Sequence, residues 1–213
     1  DADIVALQEV SDDARNITEE IADYLSCKYV TAFDMSLPMK YVPEHLRTSA
    51  DHLTYGSVIL SKYEIVSGGS VVISDEDNRT IVKANIKIGD ELLTVYGLHL
   101  KHTHQQDSEL QNVQVDNLLR MVPEERAIVM GDFNSLKGSY PITKISSILS
   151  DTEIGEPTPT WSVYKEGCSY CQIGDLKHKL DYIFTTKDIK TESFIVGDSR
   201  AADHLPVIAV IEF

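Results

Sequence analysis

Residues 127–134 read AIVMGDFN, and the reading of that octapeptide decides the fold. Ala127 to Met130 is a short apolar strand, and alternation along it places Asp132 on the face of Ile128 and Met130, where packing alone has no use for a carboxylate. Gly131, Asp132 and Asn134 are also turn formers, so taken singly the stretch is a strand running into a turn. The same break recurs elsewhere. In IVALQEV, residues 4–10, Glu9 falls on the face of Val5 and Leu7, and in ELLTVYGLH, residues 91–99, His99 follows Leu93 and Val95. Asp181 stands at the start of LDYIF on the side of Ile183, and Asp203-His204 immediately precede the last apolar run.

Working outward, Ile4–Gln8 reads as a buried strand and Asp12–Leu25 as a helix capped by Ser11 or Asp12, with Ile17, Ile21 and Leu25 on one face. Residues 34–53 carry two prolines and mixed polarity, and read as a long surface loop holding Lys40 and Arg47. Gly56–Leu60, Ile65–Ile73, Thr80–Ile88 and Leu92–Leu98 follow as a β-meander, with Gly89-Asp90 as a two-residue hairpin turn. A helix is expected over Glu109–Val122, a strand over Ala127–Met130 and a helix over Ile142–Leu149. Strands are expected over Leu180–Thr185, Ser193–Val196 and Val207–Phe213, the last opening just after Pro206. Strands with a few helices between them predict an α/β protein with a mixed sheet or a pair of sheets covered by helices.

The 213 residues hold no repeat, low-complexity tract or linker, so one domain over residues 1–213 is expected. Apolar residues make up 42% and charged residues 25%, which supports a sizeable core and excludes wholesale disorder. No run of about 18 apolar residues is present to span a membrane, and the first twenty residues are too acidic for a signal peptide. That leaves the compartment open, with a lean toward the cytoplasm. The balance of 19 basic against 34 acidic residues, −15 overall, repels polyanions and argues against passive coating of nucleic acid. It does not exclude nucleic acid as a substrate, because a divalent cation and a few local basic side chains can offset the repulsion.

If the first three polar-ended strands run one way and the last two oppositely, Glu9, His99, Asp132, Asp181, Asp203 and His204 meet at one sheet rim. Carboxylates gathered there repel by about 4 kcal/mol for each pair at 4 Å and an effective dielectric near 20, so the cluster needs a cation or shared protons. Oxygen ligands without thiolates favour Mg²⁺, Mn²⁺ or Ca²⁺. Each residue by itself has a plainer reading, as a turn former, a helix cap or a hydrogen-bonded histidine. The joint pattern carries the argument.

Five ordered blocks then resemble the endonuclease/exonuclease/phosphatase superfamily: ALQEV at 6–10, YGSVILS at 55–61, GLHL at 97–100, GDFN at 131–134, and LDY at 180–182 with DHLPV at 203–207. The resemblance implies a four-layer α/β sandwich, two mixed β-sheets packed face to face with helices outside and the active site at one rim. It implies that Glu9 binds a catalytic Mg²⁺ (or Mn²⁺ or Ca²⁺) with support from Asp203. Asp132 is expected to orient or deprotonate the attacking water, and Asn134 to hold that water or the phosphate. His204 is expected to contact phosphoryl oxygens or transfer a proton with Asp181 fixing its tautomer, and His99 to stabilise the phosphate or protonate the leaving group.

Two departures from the pattern stand out. Relatives open with a strand ending in an Asn that supports the metal-binding carboxylate, and nothing before Asp1 supplies one, so the domain is expected to lack its first strand and helix. In the helix after His99, many relatives carry an Arg where this chain has Gln111 and Gln114. Arg200, three residues from Asp203, and Lys101 are the leading candidate phosphate contacts, followed by Lys40 and Arg47, each with a plainer reading as a solvated surface charge. His102 and His104 extend His99 into a zinc-like string but read as surface histidines near the mouth. Cys168 and Cys171 read as two thiols or a local disulfide rather than a zinc half-site.

The expected activity is therefore a divalent-metal-dependent phosphoester hydrolase, a phosphodiesterase using in-line water attack on a nucleic acid, lipid head group or small phosphodiester. It is expected to act as a monomer. The alternative is a catalytically silent binding or scaffold protein that retains the fold.

Overall fold

The computed structural model describes residues 2–12, 17–42, 44, 47–163, 176–199 and 201–213. They fall into two units, Asp1–His99 and Leu100–Phe213, each taken by itself below.

In the first unit, β1 (Ile4–Asp12), β2 (Lys28–Pro38) and β3 (His52–Ser61) form a three-stranded sheet with β3 in the centre, antiparallel to both neighbours. The centre position follows from the sequence of β3, whose residues from Gly56 to Ser61 are all buried. On one face, Val10, Val58 and Leu60 pack with Val5 and Leu7 against Ala22 and Ile21 of α1 (Ile17–Leu25). The meander β4 (Glu64–Ser74), β5 (Arg79–Ile88) and β6 (Glu91–His99) packs on the sheet as well, with β5 and β6 against β3. A Cβ on Gly97 of β6 would meet Val82, Ile59 and Ala6, so β6 lies close over β1 and β3 at a position that needs glycine. The turn between β5 and β6 is Gly89-Asp90, with Ile88 opposite Glu91 and Gly89 at φ 61°.

Three expectations give way here. Residues 34–53 are not one loop, because β2 runs on to Pro38, opposite His52, before a 3₁₀ turn at Met39–Tyr41. β2 is an edge strand, where a proline costs no ladder hydrogen bond, and that is why Pro38 misled. Ser11 and Asp12 belong to β1, opposite Tyr55 and Thr54, so the helix expected from Asp12 is described only from Ile17, residues 13–16 lying outside the described ones. Glu9 leaves the face of Val5 and Leu7, because a β-bulge between Leu7 and Val10 hands its place to Val10.

In the second unit, α2 (Glu109–Leu119) starts at Ser108, whose hydroxyl accepts a hydrogen bond from the Gln111 amide. β7 (Ala127–Asp132), wholly buried, pairs antiparallel with β9 (Asp181–Thr185), which also pairs with the two-residue β8 (Ser150–Asp151) after α3 (Tyr140–Ser146). β10 (Lys190–Val196) and β11 (Val207–Glu212) form an antiparallel ribbon. Behind the β7–β9 pair, the rings of Phe133, Tyr182 and Phe184 pack with centroids 5.3 to 5.5 Å apart. Because β7 and β9 run oppositely, the end of one lies beside the beginning of the other, and Asp132 faces Asp181 across the pair.

Candidate active site

That register builds the centre of the site in the second unit. His204 Nδ1 lies 2.8 Å from Asp181 Oδ2, and its Nε2 lies 3.9 Å from Asp132 Oδ2, so one imidazole links both carboxylates. Burial pushes the His204 pKa down, but the Asp181 hydrogen bond and charge, with the charges of Asp132 and Asp203, outweigh it and raise the value to about 9. The ring is thus cationic at neutral pH. Asp132 is held in turn by the Asn134 amide, which donates to Oδ1 at 2.8 Å, while Asn134 Nδ2 donates to the Leu100 carbonyl at 3.0 Å. Asn134 sits at φ 48° and Gly131 at φ 140°, the sharp turn that brings the backbone amide back to the carboxylate.

The supports of this pair escaped the sequence reading. Thr160 Oγ1 accepts from the Leu180 and Asp181 amides, and the Thr160 carbonyl accepts from Leu205. Trp161, buried, donates from Nε1 to Asp203 Oδ2 at 3.2 Å, and the Asp203 carbonyl accepts from Val163. Two consecutive residues therefore hold the segments carrying Asp181, Asp203 and His204. The chain has one tryptophan, set in a Thr-Pro-Thr-Trp run, and that was the signal available in advance. Next to Asp181, the buried Lys179 ammonium bonds Glu153, lies 3.5 Å from Asp151 and sits over the Tyr182 ring. Burial pushes the Asp151 carboxyl up against the pull of Lys179, and burial likewise raises the Tyr182 phenol.

Glu9 and His99 lie in the first unit. The bulge sets Glu9 at φ 56°, with its side chain 67% exposed, and His99 Nε2 lies 4.0 Å from Glu9 Oε1. Tyr55, in the strand opposite, has its phenol pushed up first by burial and then by the Glu9 charge. Lys101 is exposed, while its backbone is clamped by the two glutamines: its amide donates to Gln114 Oε1 and its carbonyl accepts from Gln111 Nε2. Gln111 Nε2 also reaches the Phe133 and Asn134 carbonyls, so this buried glutamine staples the loop that carries Asn134. Arg47 donates to the Val42 and Lys40 carbonyls and so ties down its own turn. Arg200, Cys168 and Cys171 lie outside the described residues.

One oxygen each of Asp132 and Asp181 and one His204 nitrogen lie within 4.8 Å of one another. The His204 ring, protonated on both nitrogens at neutral pH, has no lone pair to give, so a divalent cation would take the carboxylate oxygens there and the imidazole only once it is deprotonated. Among the described residues no helix is long and apolar enough to cross a membrane.

A search of curated proteins finds no match to this chain. Solved structures do match. An endonuclease/exonuclease/phosphatase family protein from Leptotrichia buccalis C-1013-b superposes with a TM-score of 0.69 at 19% identity, over 99% of this chain and 88% of that one. The human Nocturnin catalytic domain with bound sulfate matches at 0.65 and 17%, over 99% and 80%. Sphingomyelinase C from Streptomyces griseocarneus matches at 0.63 and 18%, over 98% and 86%. These likenesses show the fold, the sandwich of sheets that the motifs implied. The family description "Endonuclease/Exonuclease/phosphatase family" matches residues 1–204, and the chain belongs to that family, whose members are generally metal-dependent phosphoester hydrolases.

Proposed function

We propose that this chain is a divalent-metal-dependent phosphodiesterase that hydrolyses its substrate by in-line attack of water on phosphorus. The observation that carries the proposal is the His204 ring bonded to Asp181 at 2.8 Å and facing Asp132 at 3.9 Å. Asp181 fixes the proton on Nδ1, which leaves Nε2–H of the cationic ring to donate to a phosphoryl oxygen as negative charge grows there. Asp132, held by the Asn134 amide, orients the attacking water and accepts its proton. Glu9 and Asp203 are assigned as ligands of Mg²⁺, with Mn²⁺ or Ca²⁺ able to replace it, and His99, beside Glu9, is assigned to the leaving-group oxygen. An ion held there would supply polarisation of the P–O bond and offset developing charge. Lys101, exposed after His99, is assigned to the phosphate of the substrate, and Arg200 shares that assignment.

Hydrolysis of bis(p-nitrophenyl) phosphate in Mg²⁺ tests the reading. Turnover lost on chelation and in Asp132→Asn supports it. Absence of turnover with Mg²⁺, Mn²⁺ and Ca²⁺ overturns it in favour of a silent scaffold.

A further inference from the structure

The loop after β6 places His102 and His104 where the hydrolase reading makes no use of them. His104 and Gln105 stand at φ 52° and 58°, a left-handed turn that residues other than glycine seldom adopt. The turn brings the two imidazoles to 4.5 Å between centroids, tilted by 59° rather than stacked. In an extended strand, residues two apart stand about 6.6 Å apart with parallel side chains, so the bend makes this pairing. Both residues are exposed overall. Burial, then the charges of His104 and His204, lower the His102 pKa, which keeps that ring in the neutral form that ligates metals.

We propose that His102 and His104 form a two-imidazole binding site for a divalent transition ion, Zn²⁺, Ni²⁺ or Cu²⁺. Each ring supplies one nitrogen lone pair and water completes the coordination, so no bond within the protein breaks. Imidazole suits these ions, whereas Mg²⁺ prefers oxygen, so the pair remains available in a solution saturated with Mg²⁺. The site has a built-in reporter. His102 meets Trp161, the one tryptophan of the chain, edge-on at 6.4 Å between centroids. The inference goes beyond the hydrolase reading and stands without it.

The test is a fluorescence titration of the whole protein with CuCl₂ or NiCl₂ in excess MgCl₂, followed by competition with ZnCl₂. One equivalent is expected to quench Trp161 saturably, Cu²⁺ at lower concentration than Ni²⁺, with excess Zn²⁺ reversing the Ni²⁺ quench. Losing an outer-shell partner already costs about 10-fold in affinity, so His102→Ala and His104→Ala are each expected to raise the Cu²⁺ midpoint by more than that. Asp132→Asn is expected to leave the midpoint unchanged. A midpoint unmoved in both alanine variants overturns the site, as does quenching lost only in Asp132→Asn, which assigns the ion to the acidic cluster. Far-UV circular dichroism checks that each variant is folded, and His104→Gln replaces an alanine variant that is not.

Discussion

A histidine raised to about 9 by three carboxylates, Asp181 first, ties folding to pH with a definite sign. The folded ring binds its proton more tightly than the unfolded chain does, so the stabilisation is whole below about pH 6.5 and is lost as pH rises through about 9. In chelator, wild-type thermal stability is expected to fall between pH 6.5 and 9.5 by on the order of 3 kcal/mol relative to Asp181→Asn. Parallel curves for the two proteins would remove the pairing from the account. On the proposed function, Asp181→Asn also lowers kcat by about 10²-fold or more, because the ring loses the carboxylate charge that keeps it protonated and oriented. Trp161→Phe keeps one aromatic ring and removes the pyrrole part of the indole with its N–H donor to Asp203. The expected result is a Mg²⁺ activation midpoint raised about 10-fold, at a stability cost of about 1–3 kcal/mol from the lost hydrogen bond and the volume removed. A wild-type midpoint would reduce Trp161 to packing.

Among the elements, the bulge of β1 and the close approach inside the first sheet are linked. Gly56 of β3 lies opposite Val10, where the bulge ends, and a Cβ there would collide with the Ala32 carbonyl oxygen and the Phe33 Cα of β2. Backbone cannot yield as a side chain can, so Gly56→Ala is expected to cost about 3 kcal/mol or more in urea denaturation. The stretch before β9 carries a different liability. Removing the buried Lys179 cation leaves Glu153 and Asp151 facing each other without compensation, at about 3–5 kcal/mol. Lys179→Met is expected to lose that much, and the added change Glu153→Gln to restore part of it. Equal loss in the single and double variants would show that packing, not charge, is at stake.

At the scale of the whole molecule, a net charge of −15 sets how a polyanion arrives. A basic nuclease binds more weakly as salt rises, because binding releases counterions. Here the long-range field opposes approach, so screening helps: between about 50 and 200 mM KCl, kcat/KM on DNA is expected to rise while that on bis(p-nitrophenyl) phosphate stays nearly level. A steep fall on DNA would reveal a local cationic track that outweighs the global field.

What the chain determined by itself were its strands and the polar residues that interrupt them, because side-chain alternation along a strand is a local property. The β7–β9 rim was legible that way, as was the Gly89-Asp90 turn. The resemblance of five ordered blocks supplied the family and the pairing of Asp181 with His204. Tertiary structure alone decided the rest. Whether Pro38 ends a strand depends on that strand lying at an edge, and whether Glu9 or Val10 meets α1 depends on one extra residue opposite β3. The anchoring of Asp203 by Trp161, the stapling of the Asn134 loop by Gln111 and the meeting of His102 with His104 all join groups through folded geometry, and a one-dimensional pattern does not carry such distances.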